Sequence, residues 1–153
     1  MAVAQAEDLV RKYYAVTDEL GLDPTADLMR LEDVAISQEL DVQRRSFQDW
    51  RNAGWIQKGR TKVLEVAAQS VNLDNSDPAT GRVPTVMVDA CYDVTAVDVV
   101  DPAGTSVVLA DRPDRAWVRF TVSNHSWDTD PENAWRVSIA LDQREQEPCE
   151  PAS

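Results

Sequence analysis

The stretch Thr-Val-Met-Val-Asp-Ala-Cys-Tyr-Asp-Val-Thr, residues 85–95, decides the fold. Its even positions, from Val86 to Val94, are apolar or aromatic, whereas most of its odd positions are polar. Because side chains of a β-strand alternate between two faces, this pattern predicts a strand with one face in the core and one polar face. Cys91 falls on the polar face, between Asp89 and Asp93.

Further strands are predicted on both sides of this one. Residues 61–73 are rich in β-branched side chains, and residues 117–122 and 135–141 alternate in the same way. Residues 101–104, Asp-Pro-Ala-Gly, predict a tight turn into the short apolar segment Val107–Leu109. Connections of hairpin length favour antiparallel pairing, so we expect four to five mostly antiparallel strands.

The first third of the chain predicts helices. Apolar residues recur at helical spacing from Leu9 to Leu20, and Gly21 follows as a stop signal. Asp23-Pro24 predicts the start of a short second helix. A third helix is expected from Ser37 to Gly54. It would turn Leu40, Phe47 and Trp50 inward, and its outer face would carry Glu39, Asp41, Arg44, Arg45 and Asp49.

Three helices followed by four to five strands indicate the α+β class, with the helices packed on one sheet. Neither an internal repeat nor a linker divides the chain, so residues 1–153 form one predicted domain. Its core spans about residues 7–142, and residues 143–153 form a non-periodic tail.

The charge of the chain excludes some functions. With 15 basic and 27 acidic residues, the net charge is −12, which opposes binding to nucleic acid and to anionic lipid head groups. No window of the sequence is apolar enough for a membrane span. The first residues also lack the basic and apolar regions of a signal peptide.

Several segments together suggest a family. They are Tyr13-Tyr14, residues 49–55 (Asp-Trp-Arg-Asn-Ala-Gly-Trp), residues 89–94 (Asp-Ala-Cys-Tyr-Asp-Val), residues 135–137 (Trp-Arg-Val) and Pro148-Cys149. With this order of helices and strands, the chain resembles the nuclear transport factor two-like (cystatin-like) superfamily, and within it an exported, lipoprotein-type branch of actinobacteria. The resemblance implies a cone-shaped α+β roll, in which a curved sheet wraps the first helix and leaves an open mouth. It also implies an extracytoplasmic protein whose export or anchoring segment is absent from this sequence.

The two cysteines are predicted to form a disulfide. Cys91 points away from the core, and Cys149 lies in an acidic, Pro-flanked tail that has no apolar pattern to hold it. Two unrelated buried thiols are the alternative. Two Cys and one His fall short of a zinc site, and the cysteines lack the close spacing of a redox pair. A disulfide indicates an oxidising compartment, which agrees with export.

Five aromatic residues are candidates for lining the cone mouth: Tyr13, Trp50, Trp55, Tyr92 and Trp135. Such a lining could stack on an apolar ligand. Core packing is the simpler interpretation, because large aromatic side chains dominate most cores of this size.

Candidate catalytic and metal-binding residues are few. His125, the only histidine, is expected on the outer face with Trp117 and Trp127, as a surface side chain. The strand carboxylates Asp89 and Asp93 share the outward face of Cys91, so no inward general base is identified. Residues 128–132 have the acidity of a calcium loop without its ligand pattern, and an exposed turn is expected there.

The sequence therefore favours a non-catalytic, exported accessory domain that binds a partner protein or a small ligand in its concave end. No cofactor or metal is expected. One alternative is a small isomerase-like or dehydratase-like enzyme that uses a polar residue inside the cone. Another is an assembly subunit of a cell-envelope complex, and a homodimer is compatible with each of these.

Overall fold

The computed structural model describes residues 1–143 and 146–149. Two long helices come first, and six strands follow them in the remaining described chain. The elements in order are α1 (Ala2–Leu22), a 3-10 helix (Leu28–Asp33), α2 (Ser37–Ala53), β1 (Ile56–Lys58), β2 (Lys62–Asn72), a 3-10 turn (Pro78–Thr80), β3 (Thr85–Asp93), β4 (Asp98–Val100), β5 (Arg115–Asn124) and β6 (Trp135–Asp142). The predicted α+β class, with N-terminal helices that precede an antiparallel sheet, is confirmed.

The main sheet is antiparallel, with the strand order β2-β3-β5-β6, and β1 pairs separately with β4. Helix α1 contacts β3 and also both edge strands, β2 and β6. A single helix can touch both edges of a four-stranded sheet only if the sheet curls around it. Two irregularities in the pairing of β2 and one in the pairing of β5 with β6 allow this bend, because bulges increase local twist and curvature.

The core lies between α1 and the concave face of the sheet. From α1 it takes Ala6, Leu9, Val10, Tyr13, Val16 and Leu20, and from β3 and β5 it takes Val86, Val88, Ala90, Val118, Phe120 and Val122. The ring of Phe120 lies 5.3 Å from that of Tyr13 and 5.7 Å from that of Tyr14, both edge-on. Burial of one such large side chain contributes about 1.5–3 kcal/mol, so this layer dominates the stability of the fold.

The second helix differs from the prediction. Asp23-Pro24 forms a turn after α1, in which Asp23 Oδ1 accepts hydrogen bonds from the backbone N–H and the hydroxyl of Thr25. The helix begins later, at Leu28, where Asp27 Oδ1 accepts from the N–H of Met29 at 2.9 Å, and it is a 3-10 helix. Both aspartates can bond to the backbone two residues ahead, and only the packing of the segment selects the second one as the cap.

Helix α2 ends where the sequence predicts. Gly54 adopts a left-handed conformation (φ 75°) as its C-cap, a geometry that favours glycine. At the other end, Ile36 rather than Ser37 is the N-cap, and Ser37 is the first helical residue.

Arg51 joins α2 to the end of α1. Its guanidinium donates to the carbonyl oxygens of Ala26 (2.7 Å), Asp23 (3.3 Å) and Leu20 (3.5 Å). The last carbonyl groups of a helix have no partner within the helix, so this arginine satisfies acceptors at and beyond the α1 terminus.

The strand predictions hold for the long strands and fail for the short ones. Residues 107–109 lie outside the ladders, and the short fourth strand is instead Asp98–Val100, which pairs with Ile56–Lys58. The segment is held beside that strand by a hydrogen bond from the N–H of Val107 to the carbonyl of Val99 at 2.9 Å. Strands of three residues are too short to show a periodic pattern.

The described part of the tail lies on the outer face of the sheet. The predicted Cys91–Cys149 disulfide is present, with Cα atoms 6.0 Å apart. Cys91 is fully buried although it faces away from the core, because the tail covers it. Arg115 donates to the carbonyl of Cys149, and the indole N–H of Trp117 donates to the carbonyl of Glu147, both at 2.9 Å.

Candidate functional site

A cavity of about 820 Å³ opens at one end of the cone, which we call the open-end cavity. It lies where α2, β1 and β4 meet the end of β6 and the start of β5. Four half-buried aromatic side chains line it: Trp50, Trp55 and Tyr92 on the inner side, and Trp117 on the outer face of β5, where the tail lies. Its volume lies within the range of small-molecule binding sites, about 300–1,000 Å³.

One wall of this cavity is the loop between β4 and β5. Val107, Val108 and Leu109 line it, and Leu109 is 76% exposed. Arg112 joins this loop to the turn after β3, because its Nη2 donates to the carbonyl oxygens of Val94 (3.0 Å) and Val97 (2.9 Å). The apolar segment that the sequence indicates at residues 107–109 therefore serves as a cavity wall rather than as a strand.

The tail forms another wall. Gln146 and Pro148 line the open-end cavity, and the disulfide at Cys149 holds them in place. The Cys91–Cys149 disulfide therefore also shapes the cavity.

The charged side chains of the open-end cavity balance one another. Arg112 and Arg115 are half-buried, whereas Asp111 and Asp142 are exposed. In a chain of net charge −12, a region with two arginines and two aspartates is much less negative than the rest of the surface.

A second cavity of about 380 Å³ adjoins the first and shares Trp50 and Tyr92 with it. It lies between α1 and α2, and Tyr13 and Gln43 also line it. The two cavities together run from the mouth of the cone to the interface of the two helices.

A buried carboxyl–phenol pair lies beside the second cavity. The hydroxyl of Tyr13 donates to Glu39 Oε1 at 2.6 Å, and Gln43 donates to the same oxygen at 3.0 Å. Burial raises the pKa of Glu39, while the two hydrogen bonds oppose this shift. Burial, followed by the charge of Glu39, raises the pKa of Tyr13 well above its ordinary value. The prediction that Glu39 faces outward is wrong, because it is 4% exposed.

Asp18 is a second buried carboxylate at this cavity. Its Oδ1 accepts from Gln57 Nε2 and from the Thr61 hydroxyl, both at 2.9 Å, and its Oδ2 accepts from the Thr61 N–H at 3.0 Å. These bonds connect α1 to β1 and to the segment between β1 and β2, and they occupy both oxygens. The arrangement is typical of a structural carboxylate.

The five aromatic candidates separate into three groups. Trp50, Trp55 and Tyr92 line the open-end cavity, and Tyr13 lines only the second cavity, where it is 6% exposed. Trp135 lies elsewhere: it is 2% exposed, contacts the start of α1 and donates to Gln5 Oε1 at 3.1 Å. It lines neither of these two cavities, because β6 begins at the end of the cone opposite the mouth.

His125 is exposed, but Trp127 does not lie with it on the outer face as the sequence predicts. Strand β5 ends at Asn124, so alternation stops there. Trp127 consequently packs on the core, 6.0 Å from the ring of Trp135, rather than on the outer face beside Trp117. Residues 128–132 form turns.

The structure adds site residues that the sequence reasoning missed. Asp18 follows Tyr14 by four residues on the side of α1 that the stripe already included, a spacing that indicates a shared face. Glu39 precedes Gln43 by four residues and bonds to it. No local pattern marks Arg112 and Arg115, because only the folding of the β4–β5 loop and the tail brings them to the cavity.

The described residues contain neither a cluster of metal ligands nor a helix that could span a membrane. Among residues 1–143 and 146–149, no group of three or more His, Cys, Asp or Glu side chains is arranged to hold a metal ion. In the same part of the chain, no helix is both long and apolar enough to cross a bilayer.

The class that the fold defines is an α+β domain whose sheet wraps one long helix. No family model and no curated protein matches the sequence. Among solved structures, the crystal structure of the intermembrane space region of the chloroplast protein ARC6 is similar, with a TM-score of 0.61 and 15% identity. The match covers 93% of this chain and 96% of that one. At this identity the likeness concerns the fold alone.

Proposed function

We propose that this protein is a non-catalytic accessory domain that binds a partner protein or a small ligand in its concave end. The observation that carries the proposal is the open-end cavity of about 820 Å³, with its four half-buried aromatic side chains. Aromatic and aliphatic surface left in contact with water is unfavourable by roughly 25 cal/mol for each Å². A ligand or a partner segment that covers this surface gains that free energy.

The cavity-filling variant Ala116→Phe tests the proposal with Nile red, a neutral dye that fluoresces in apolar sites. Ala116 is half-buried and lines the open-end cavity, so a phenyl ring there occupies its volume. Ala53→Phe, at an exposed position at the end of α2, is the matched control. We expect the wild type and Ala53→Phe to bind the dye equally and Ala116→Phe to bind it at least about fivefold more weakly. Equal binding by all three folded proteins would contradict the use of this cavity.

We further propose an extracytoplasmic location and membership of the exported branch of nuclear transport factor two-like proteins. The Cys91–Cys149 disulfide supports this location, because such bonds persist in oxidising compartments. Alkylation of cellular protein under denaturing, non-reducing conditions tests the location. No reactive thiol is expected, and two reactive thiols per chain would remove the main support for export.

A second candidate function, an isomerase-like enzyme, is favoured by one observation. Tyr13 and Glu39 form a buried pair beside a cavity of about 380 Å³, and burial raises the pKa of Glu39. A carboxyl group with a raised pKa is suited to proton transfer near neutral pH. Proton exchange at the α-carbon of small cyclic ketones, followed by NMR in deuterated water, tests this function. Exchange that Glu39→Gln abolishes would support the enzyme, and exchange equal to that of buffer would exclude these substrates.

A further inference from the structure

The chemistry of the open-end cavity points to one class of ligand. We propose that it takes an amphipathic anion, with an unbranched or ring-bearing apolar body and a terminal carboxylate. This inference rests on the proposed function, because it names the ligand of the same cavity.

The apolar body follows from the walls. Trp50, Trp55 and Tyr92 come from the inner side of the cone, and Val108 and Leu109 come from the β4–β5 loop. A peptide strand laid against these walls would bury one amide group per residue where few polar partners are available. Burial of an unpaired amide costs about 1–3 kcal/mol, whereas an alkyl or ring body carries no such cost.

The anionic head follows from the two arginines. A guanidinium has five N–H donors, and Arg115 uses Nη1 for the carbonyl of Cys149 while Arg112 uses Nη2 for two backbone carbonyls. Within residues 1–143 and 146–149, neither guanidinium lies within 4.0 Å of a carboxylate oxygen. Arg115 lies on the same outer face of β5 as Arg119, opposite Asp93 in the ladder, but among the described residues only Arg119 forms an ion pair there, with both oxygens of Asp89 at 2.7 and 2.9 Å.

The backbone contacts also fix where these two charges lie. Arg112 is bonded to the turn after β3, and Arg115 is bonded to the tail, so neither needs to be ordered when a ligand binds. Donors that are already positioned bind a carboxylate with less entropy loss than mobile surface side chains. Asp111 and Asp142 are exposed, and water therefore screens their repulsion more than it screens the attraction of the half-buried arginines.

A head-group series tests the proposal by isothermal titration calorimetry below the micellar concentrations. The probes are decanoate, decanol and decyltrimethylammonium, which share one alkyl chain. We expect decanoate to bind about tenfold more tightly than decanol, and the cation to bind most weakly, because charge-assisted hydrogen bonds form only with the carboxylate.

Three substitutions separate the effect of this site from the effect of the overall charge. Arg115→Gln should lower the affinity for decanoate at least about fivefold and leave that for decanol unchanged. Arg45→Gln, which removes an exposed charge on α2, should change neither affinity. Arg115→Lys keeps the charge and should retain part of the preference. An unchanged affinity of Arg115→Gln for decanol shows that the tail wall is still in place.

These measurements distinguish a preference for an anionic head group from the binding of any apolar ligand in the open-end cavity. Equal affinity for decanoate and decanol, with both weakened by Ala116→Phe, would overturn the anion preference and leave the cavity as an apolar site. Tighter binding of the cation, or of an apolar peptide with a blocked C-terminus, would also overturn the inference. Failure of all three probes and of Nile red to bind would overturn the inference together with the small-ligand form of the proposed function.

Discussion

Removal of the Cys91–Cys149 disulfide by the double substitution Cys91→Ala/Cys149→Ala is expected to lower the free energy of unfolding by about 4 kcal/mol. The bond joins positions 58 residues apart. In the chain-entropy model, a closed loop restricts the unfolded chain by about 3 kcal/mol for 15 residues and about 4.7 kcal/mol for 100 residues. A loop of this length lies between these values, and nearer the upper one.

The folded state adds a smaller contribution. The tail makes two hydrogen bonds to β5, from Arg115 to the carbonyl of Cys149 and from Trp117 to the carbonyl of Glu147. Each such bond contributes about 1 kcal/mol net, so the loss approaches about 6 kcal/mol if the tail detaches completely. Because a domain of this size is stable by roughly 5–15 kcal/mol, the variant should be strongly destabilised.

Urea unfolding of the oxidised wild type, the reduced wild type and the double variant measures the change. The reductant should have no effect on the double variant, which serves as the control. The Trp117 indole N–H, observed by NMR, should shift in the variant because its acceptor in the tail is no longer held. A loss of stability below about 1 kcal/mol would refute the loop-closure argument. An unchanged Trp117 resonance would refute the conclusion that the disulfide holds the tail.

Three further predictions concern the helices and the core. Glu39→Gln should become more stable relative to the wild type as the pH rises from 4 to 7. The raised folded pKa of Glu39 gives the wild type a stabilising contribution that is complete below the unfolded pKa, about 4.3, and that is lost as the pH rises through the folded pKa. Urea unfolding at several pH values measures the difference in stability, and a difference that does not change with pH would contradict the prediction. Gly21→Ala should destabilise the protein by about 1–3 kcal/mol, because the added Cβ would lie 2.2 Å from Gln57 Oε1. The better helix propensity of alanine would by itself stabilise the protein by about 1 kcal/mol, so the sign of the change in melting temperature decides between the two effects. Phe120→Ala should cost about 3–5 kcal/mol in chemical unfolding, since Phe120 is 1% exposed, and a cost below about 1 kcal/mol would contradict its position at the centre of the core.

Part of the fold could be predicted because its signals are local. Alternation in residues 85–93 places Val86 and Val88 in the core, and the glycine at position 54 marks the end of α2. The same alternation places Cys91 on the outer face, and an acidic tail without an apolar pattern left the disulfide as its only evident anchor. Each of these inferences needs only the geometry of a single strand or helix.

Other features required contacts between distant segments. Glu39 has the sequence context of an exposed helical residue, and it is buried because α1 brings the Tyr13 hydroxyl to it from 26 positions away. Asp23 and Asp27 can both cap the start of a helix, and only the packing of the segment selects Asp27 as the cap of the 3-10 helix. The three-residue strands β1 and β4 have no period of their own and exist because they pair with each other.

The sequence by itself determined the α+β class, the long strands and the clamp between tail and sheet, because side-chain periodicity and residue-specific backbone preferences act over a few neighbouring residues. Only the tertiary structure decided the open-end cavity. Its walls come from the end of α2, the β4–β5 loop, the start of β5 and the tail, so no local pattern describes it. The sequence shows five aromatic residues as equivalent candidates, and the curvature of the sheet places Trp135 at the closed end and Trp50, Trp55 and Tyr92 at the open one.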